Sequence, residues 1–250
     1  MKHFLNKMIT TLLCLSLLCL LSACEGQPAA TEPDNKKPIS EGTKSNTLLD
    51  KEIKPLDLRL TDYGFYIEPS YTDDMVYMNF CGMVHNPNES QSAMFPEVIA
   101  TISNPDGTII ATDSQMGAGI MPLDTVTITG TMAVPTTQIT NETTVEFQVK
   151  CSRFNSADQN QKPRSTDFEI KNLFEQSGSR CFITGTVTNL TDETVDSVYL
   201  TLLLRKEGEI VFIDGSFEDD LNPGVPTAFQ FQSYSSWPAH DSIEVTAQVW

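Results

Sequence analysis

The feature that most constrains this chain is an internal duplication. Gly82-Met83-Val84-His85-Asn86 recurs 103 positions later as Gly185-Thr186-Val187-Thr188-Asn189. A turn glycine follows in each copy, Gly107 and Gly208, and then a loop proline, Pro122 and Pro223, both pairs 101 positions apart. Each copy closes on an alternating run, near Val145–Lys150 and near Ile243–Trp250. Two copies of one unit of about 85–100 residues must each bury a core of their own, and that length suffices for two packed sheets.

The periodicity inside each copy is two. Met78–Val84, Val145–Val149, Ile183–Val187 and Ile243–Val249 alternate apolar and polar residues, the signature of half-buried antiparallel strands. Turn signals separate them at Asn86-Pro87-Asn88, Asn104-Pro105-Asp106-Gly107, Glu207-Gly208 and Asn222-Pro223-Gly224. No long amphipathic helix is evident. The fold class expected is all-β: two tandem immunoglobulin-like antiparallel β-sandwiches, over residues 55–152 and 165–250, with the join at Asn155–Arg164. An OB-type barrel is the alternative, disfavoured because no helix interrupts the strands. Gly82 and Gly185 fall mid-strand, where a missing side chain admits a bulge or close packing. Asn86 and Asn189 end strands, where an amide side chain bonds turn backbone.

The N-terminal region reads differently. Lys2 and Lys7 precede the apolar stretch Leu12–Leu21, with no acidic residue before Glu25, the layout of an export signal too short to serve as a mature membrane span. Leu21-Ser22-Ala23-Cys24 resembles the lipobox of bacterial lipoproteins. That resemblance implies removal of residues 1–23 by cleavage between Ala23 and Cys24, and lipidation of Cys24. The chain would then be held to the cell membrane by lipid, on its extracytoplasmic face. An ordinary signal peptide cut near Ala23 is the alternative. Residues 24–54, rich in Pro, Glu, Lys, Thr, Ser and Asn, are expected to form a disordered tether.

Within the repeat, the order Gly-x-Val-x-Asn, strand, glycine turn, proline loop and strand is similar to that of the FxLYD domain, a small β-sandwich of envelope lipoproteins. The similarity covers roughly residues 74–151 and 178–250. The positions that name the family read here Ala100-Thr101-Ile102-Ser103-Asn104 and Thr201-Leu202-Leu203-Leu204-Arg205, a departure from its signature. The family implies a binding or structural module and no particular catalysis.

Charge narrows the partners. The whole chain carries a net −17, and the part after residue 23 carries 14 Lys and Arg against 33 Asp and Glu, a net −19. Such a surface repels nucleic acid and anionic headgroups, so neither is an expected partner. After lipidation of Cys24 three cysteines remain, an odd number with no metal-ligand spacing. Alternation places Cys151 and Cys181 inward as buried thiols and Cys81 on the opposite, outward face.

Few residues suggest chemistry. His240-Asp241 lacks a nucleophile elbow, so an envelope hydrolase is the weaker reading, and no enzyme activity or cofactor is expected. The segment from Asp214 to Asn222 reads as an acidic loop whose Asp214, Glu218, Asp219 and Asp220 form a weak calcium candidate, although the spacing is not that of an EF-hand. Trp237 and Tyr234 offer stacking faces for a cell-wall polysaccharide. Met116–Pro122, apolar and glycine-rich, is either an exposed contact patch or a segment folded back as core, the latter preferred. Asn88, Asn141 and Asn189 begin N-glycosylation tripeptides, which carry no meaning in a bacterial-type lipoprotein. The leading expectation is a non-enzymatic module of the cell envelope that binds another protein, with a wall polymer as the other candidate partner.

Overall fold

The computed structural model describes residues 54–69, 74–140, 142–157, 162–178 and 180–250. Ala23, Cys24, the signal stretch and all of the tether up to residue 53 lie outside the described residues. So does Asn141. The described residues belong to one compact unit.

Fourteen strands build it: β1 (Arg59–Pro69), β2 (Met75–His85), β3 (Gln91–Met94), β4 (Glu97–Ser103), β5 (Ile109–Met116), β6 (Thr125–Pro135), β7 (Thr144–Lys150), β8 (Arg153–Ser156), β9 (Phe168–Gln176), β10 (Cys181–Asn189), β11 (Val195–Lys206), β12 (Glu209–Leu221), β13 (Pro226–Ser233) and β14 (Ser242–Val249). All named pairings are antiparallel. The sheets run β1-β2-β6 and β5-β4-β7 in the first copy, and β9-β10-β13 and β12-β11-β14 in the second. The order is the same in both copies, so the all-β, twice-repeated sandwich expected from the sequence is the fold. The first copy adds one ribbon, β3-β8. That ribbon carries the first sandwich to Ser156, a few residues past the expected boundary and into the expected join.

Alternation along the central strands explains the packing. In β10 every odd residue from Cys181 to Asn189 is buried and every even one is half-buried. Met78, Phe80 and Val84 of β2 enter the first core with Val98, Ala100 and Ile102 of β4. Ile183 and Val187 enter the second with Leu200, Leu202 and Leu204 of β11. A glycine lies beneath a phenylalanine in each sandwich. A Cβ on Gly130 would strike Phe80, and one on Gly185 would stand 2.5 Å from the Phe229 ring. Those pairs are direct cross-strand partners, so the ring covers backbone that the glycine leaves open.

The repeated asparagines close the repeat chemically. Asn86 Nδ2 donates to the carbonyls of Gln91 (2.8 Å) and Ile120 (3.0 Å), while its Oδ1 accepts from Asn88 N. Asn189 Nδ2 donates to Glu193 O (2.8 Å) and Leu221 O (2.9 Å), and its Oδ1 accepts from Thr191 N. Each carbonyl also receives the residue after the repeated proline: Leu123 N to Asn86 O, 3.0 Å, and Gly224 N to Asn189 O, 2.8 Å. Both of those residues adopt positive φ, which is free for Gly224 and strained for Leu123.

The two sandwiches are stacked face to face. The outer face of β1-β2-β6 meets the outer face of β12-β11-β14, giving four sheets in succession. Cys81, with Tyr66 and Met83 of the first copy, packs on Leu203, Ile210 and Ile213 of the second. Polar bonds ring this patch. Arg205 Nη2 reaches Asp62 Oδ2 at 2.6 Å, Thr129 Oγ1 meets Tyr199 OH at 3.1 Å, and Thr127 N donates to Gln248 Oε1 at 3.0 Å. Cys81 is thus outward from its own core, as its phase requires, but 0% exposed. The expectation of exposure fails because the neighbouring sandwich covers that face. Burial, then the charge of Asp62, pushes its thiol up to about 12.

Candidate interaction surface

The segment expected as an acidic loop is the second half of strand β12. Pleating therefore divides its carboxylates. Asp214 and Glu218 stand opposite the core residues Leu202 and Val198, whereas Asp219 is exposed opposite Ser197 on the other face. Asp220 sits at φ 55°, beside the rung where pairing passes from Val195–Leu221 to Ser197–Asp219. Burial raises the Asp214 carboxyl, against a bond from Gly215 N and with the charge of Glu68. Burial and then Asp219 raise that of Glu218. Among the described residues no group of three or more His, Cys, Asp or Glu converges as a metal site.

His240 and Asp241 turn away from one another. His240 places Nδ1 2.8 Å from Pro238 O and Nε2 3.2 Å from Glu175 Oε2. Asp241 Oδ2 accepts from Glu207 N at 2.7 Å. The pair therefore ties the last loop down. His85 meets Thr125 Oγ1 at 3.1 Å.

Trp237 is 8% exposed and belongs to the second core, edge-on to Phe212. Tyr234 is 81% exposed, with Arg180 over its ring at 5.9 Å. The two do not form a shared stacking platform. Cys181 is buried as expected, Cys151 only half-buried, and both are free, as is Cys81. Asn88 and Asn189 are buried in their turn networks.

Met116–Pro122 largely folds inward. Ile120 N donates to Ala93 O at 2.8 Å and Gly117 N to Pro96 O at 2.8 Å, burying Ile120, Met121 and Pro122. Met116 alone among the large side chains stays out, at 54% exposure, and it joins aromatic residues that sequence reasoning missed. Phe95, 53% exposed, is held at φ 55° between β3 and β4. A bulky residue rarely adopts that conformation, and strain of this kind concentrates at functional positions. The signal available was the run Met94-Phe95-Pro96, with two large apolar residues before a proline.

Phe95 and Met116 line two adjacent depressions. One, of about 720 Å3, continues to Leu58, Cys151 and Phe154. The other, of about 360 Å3, has Met94, Met121 and Gly117–Gly119 for its lining, with Trp250 and Lys162 also at its edge. Trp250, 54% exposed, is braced by Tyr199 and Phe217 at 5.6 Å each. Beyond Trp250 lies a polar depression bearing Asp192, Glu193 and Asp196. Chemically the arrangement is an apolar seat beside an acidic shelf.

No family model matches the chain, and no curated protein matches it either. Among solved structures it resembles a DUF4785 family protein from Legionella pneumophila subsp. pneumophila at 16% identity and a TM-score of 0.21, over 68% of this chain. The aligned part spans 46% of the length of that structure.

Proposed function

We propose that the protein is a lipid-anchored lipoprotein on the extracytoplasmic face of the cell membrane, serving the cell envelope as a non-enzymatic protein-binding module. The observation that carries the binding part is the cluster of Phe95, Met116 and Trp250, each more than half exposed. Soluble proteins seldom leave contiguous large apolar side chains in water without a partner to cover them. The sheets support the same reading, because Met116 ends β5 while Phe95 and Trp250 sit directly at the ends of β3 and β14, which limits how far these side chains can move. The anchor rests on Leu21-Ser22-Ala23-Cys24.

Two measurements test the two parts. Labelled palmitate should enter the wild-type protein in producing bacterial cells and not the Cys24→Ser variant, which should move from the membrane to the soluble fraction. Equal fractionation of both removes the anchor. Photo-crosslinkers spread over the exposed surface in intact cells should trap one protein reproducibly from neighbouring positions. Crosslinks to wall glycan alone would replace the protein partner by a polymer.

A further inference from the structure

We infer that the cleft walled by Phe95, Met116 and Trp250 takes an extended, basic segment of a partner protein, with one large apolar side chain in the cleft and its Lys or Arg neighbours on the acidic shelf. This deepens the interaction-module reading and rests on it.

Shape and polarity define the anchor. The smaller depression holds about 360 Å3 and is lined by Met94, Met116, Met121 and Phe95 with the backbone of Gly117–Gly119. Thioether side chains reshape around an inserted aliphatic or aromatic group, while glycines let the incoming backbone approach. The strained φ of Phe95 places its ring in the lining of both depressions, at some cost to the fold.

Charge defines the flanks. The depression on the other side of Trp250 carries Asp192, Glu193 and Asp196, all exposed, and none is in an ion pair among the described residues. Among the described residues Lys162 is the one cation lining both depressions, and these acids outnumber it. A chain of net −17 adds a long-range field of the same sign. That field accelerates the approach of a cationic segment and opposes a fatty acid, an anionic headgroup or a second copy of this chain. An extended segment suits the site because the apolar seat and the acidic shelf lie side by side around one tryptophan.

A random dodecapeptide library displayed on phage, selected against the full chain in mild detergent, tests this. The enriched peptides should share one Phe, Leu, Met or Trp flanked by Lys or Arg. A synthetic enriched peptide should bind at least about tenfold more weakly at 300 mM than at 50 mM salt. Binding should fall by a similar factor in the triple variant Asp192→Asn/Glu193→Gln/Asp196→Asn, and also in Phe95→Ala/Met116→Ala, with both variants shown folded by thermal melting. Enriched peptides without basic residues, or binding unaffected by either variant, overturn the assignment of this site. So does a library that yields no enrichment, competition by dodecanoate in place of peptide, or concentration-dependent dimerisation through the cleft. The interaction-module reading fails separately, when crosslinkers away from the cleft also trap no protein in cells.

Discussion

Asn86 and Asn189 each satisfy several strand-end groups with one amide. Each side chain donates to two or more carbonyls and accepts backbone N–H, all within buried turns. Replacing Asn189 by Ala leaves Glu193 O and Leu221 O without their donor, so we expect a loss of about 2–4 kcal/mol in urea unfolding. Asn86→Ala should cost a similar amount, since its Nδ2 serves Gln91, Ile120 and Met121. Thr201 predicts the opposite sign. Its hydroxyl is buried between the sandwiches and has no hydrogen-bond partner among the described residues. Thr201→Val keeps the branched shape and removes the stranded group, so stability should rise by about 1 kcal/mol. A measured fall would mean that the hydroxyl has a partner after all.

At the scale of strands, the contact between sheets is where sequence reasoning lost sight of the molecule. Alternation along β2 and β10 displayed both cores, because one face of each strand is apolar. The turn glycines and prolines displayed the repeat. Cys81 was equally visible as outward-facing, yet its burial depends on Leu203, Ile210 and Ile213, more than a hundred residues away. Nothing local marks which outward face a second sandwich will cover. The acidic stretch of β12 misled for a related reason: charge suggested a loop, and eleven rungs of pairing to β11 overrode it. The cleft stayed hidden because Phe95, Met116 and Trp250 meet only after β4, β5 and β14 are placed. Arg205 is the clasp of the buried contact, binding Asp62 at 2.6 Å and Glu244 at 3.0 Å with its side chain only 15% exposed. Arg205→Ala leaves Asp62 facing the apolar patch alone. We expect alkylation of Cys81 by iodoacetamide to quicken by about tenfold, while Cys181 in the second core reacts at its wild-type rate. Equal rates at Cys81 in wild type and variant would show that the apolar patch holds the sheets together without the ion pair.

On the scale of the whole molecule, two copies of one topology are joined through unlike faces. The first presents its β1-β2-β6 sheet, the second its β12-β11-β14 sheet, which is the counterpart of β5-β4-β7 and not of β1-β2-β6. A head-to-tail joint of this kind has no symmetry to close it, and repeated indefinitely it would grow a filament. Growth needs a surface at each end that repeats the joint, and here both end faces mix polar and apolar side chains. The free face of β5-β4-β7 bears Thr101, Thr112, Ser114 and Gln148 around Ile99. That of β9-β10-β13 bears Thr184, Thr186, Gln230 and Gln232 beside Phe182 and the exposed Phe174. Duplication has therefore not duplicated the joint: threonines and glutamines separate the few large apolar side chains of the two free faces, and neither repeats the leucine–isoleucine patch against which Cys81 rests.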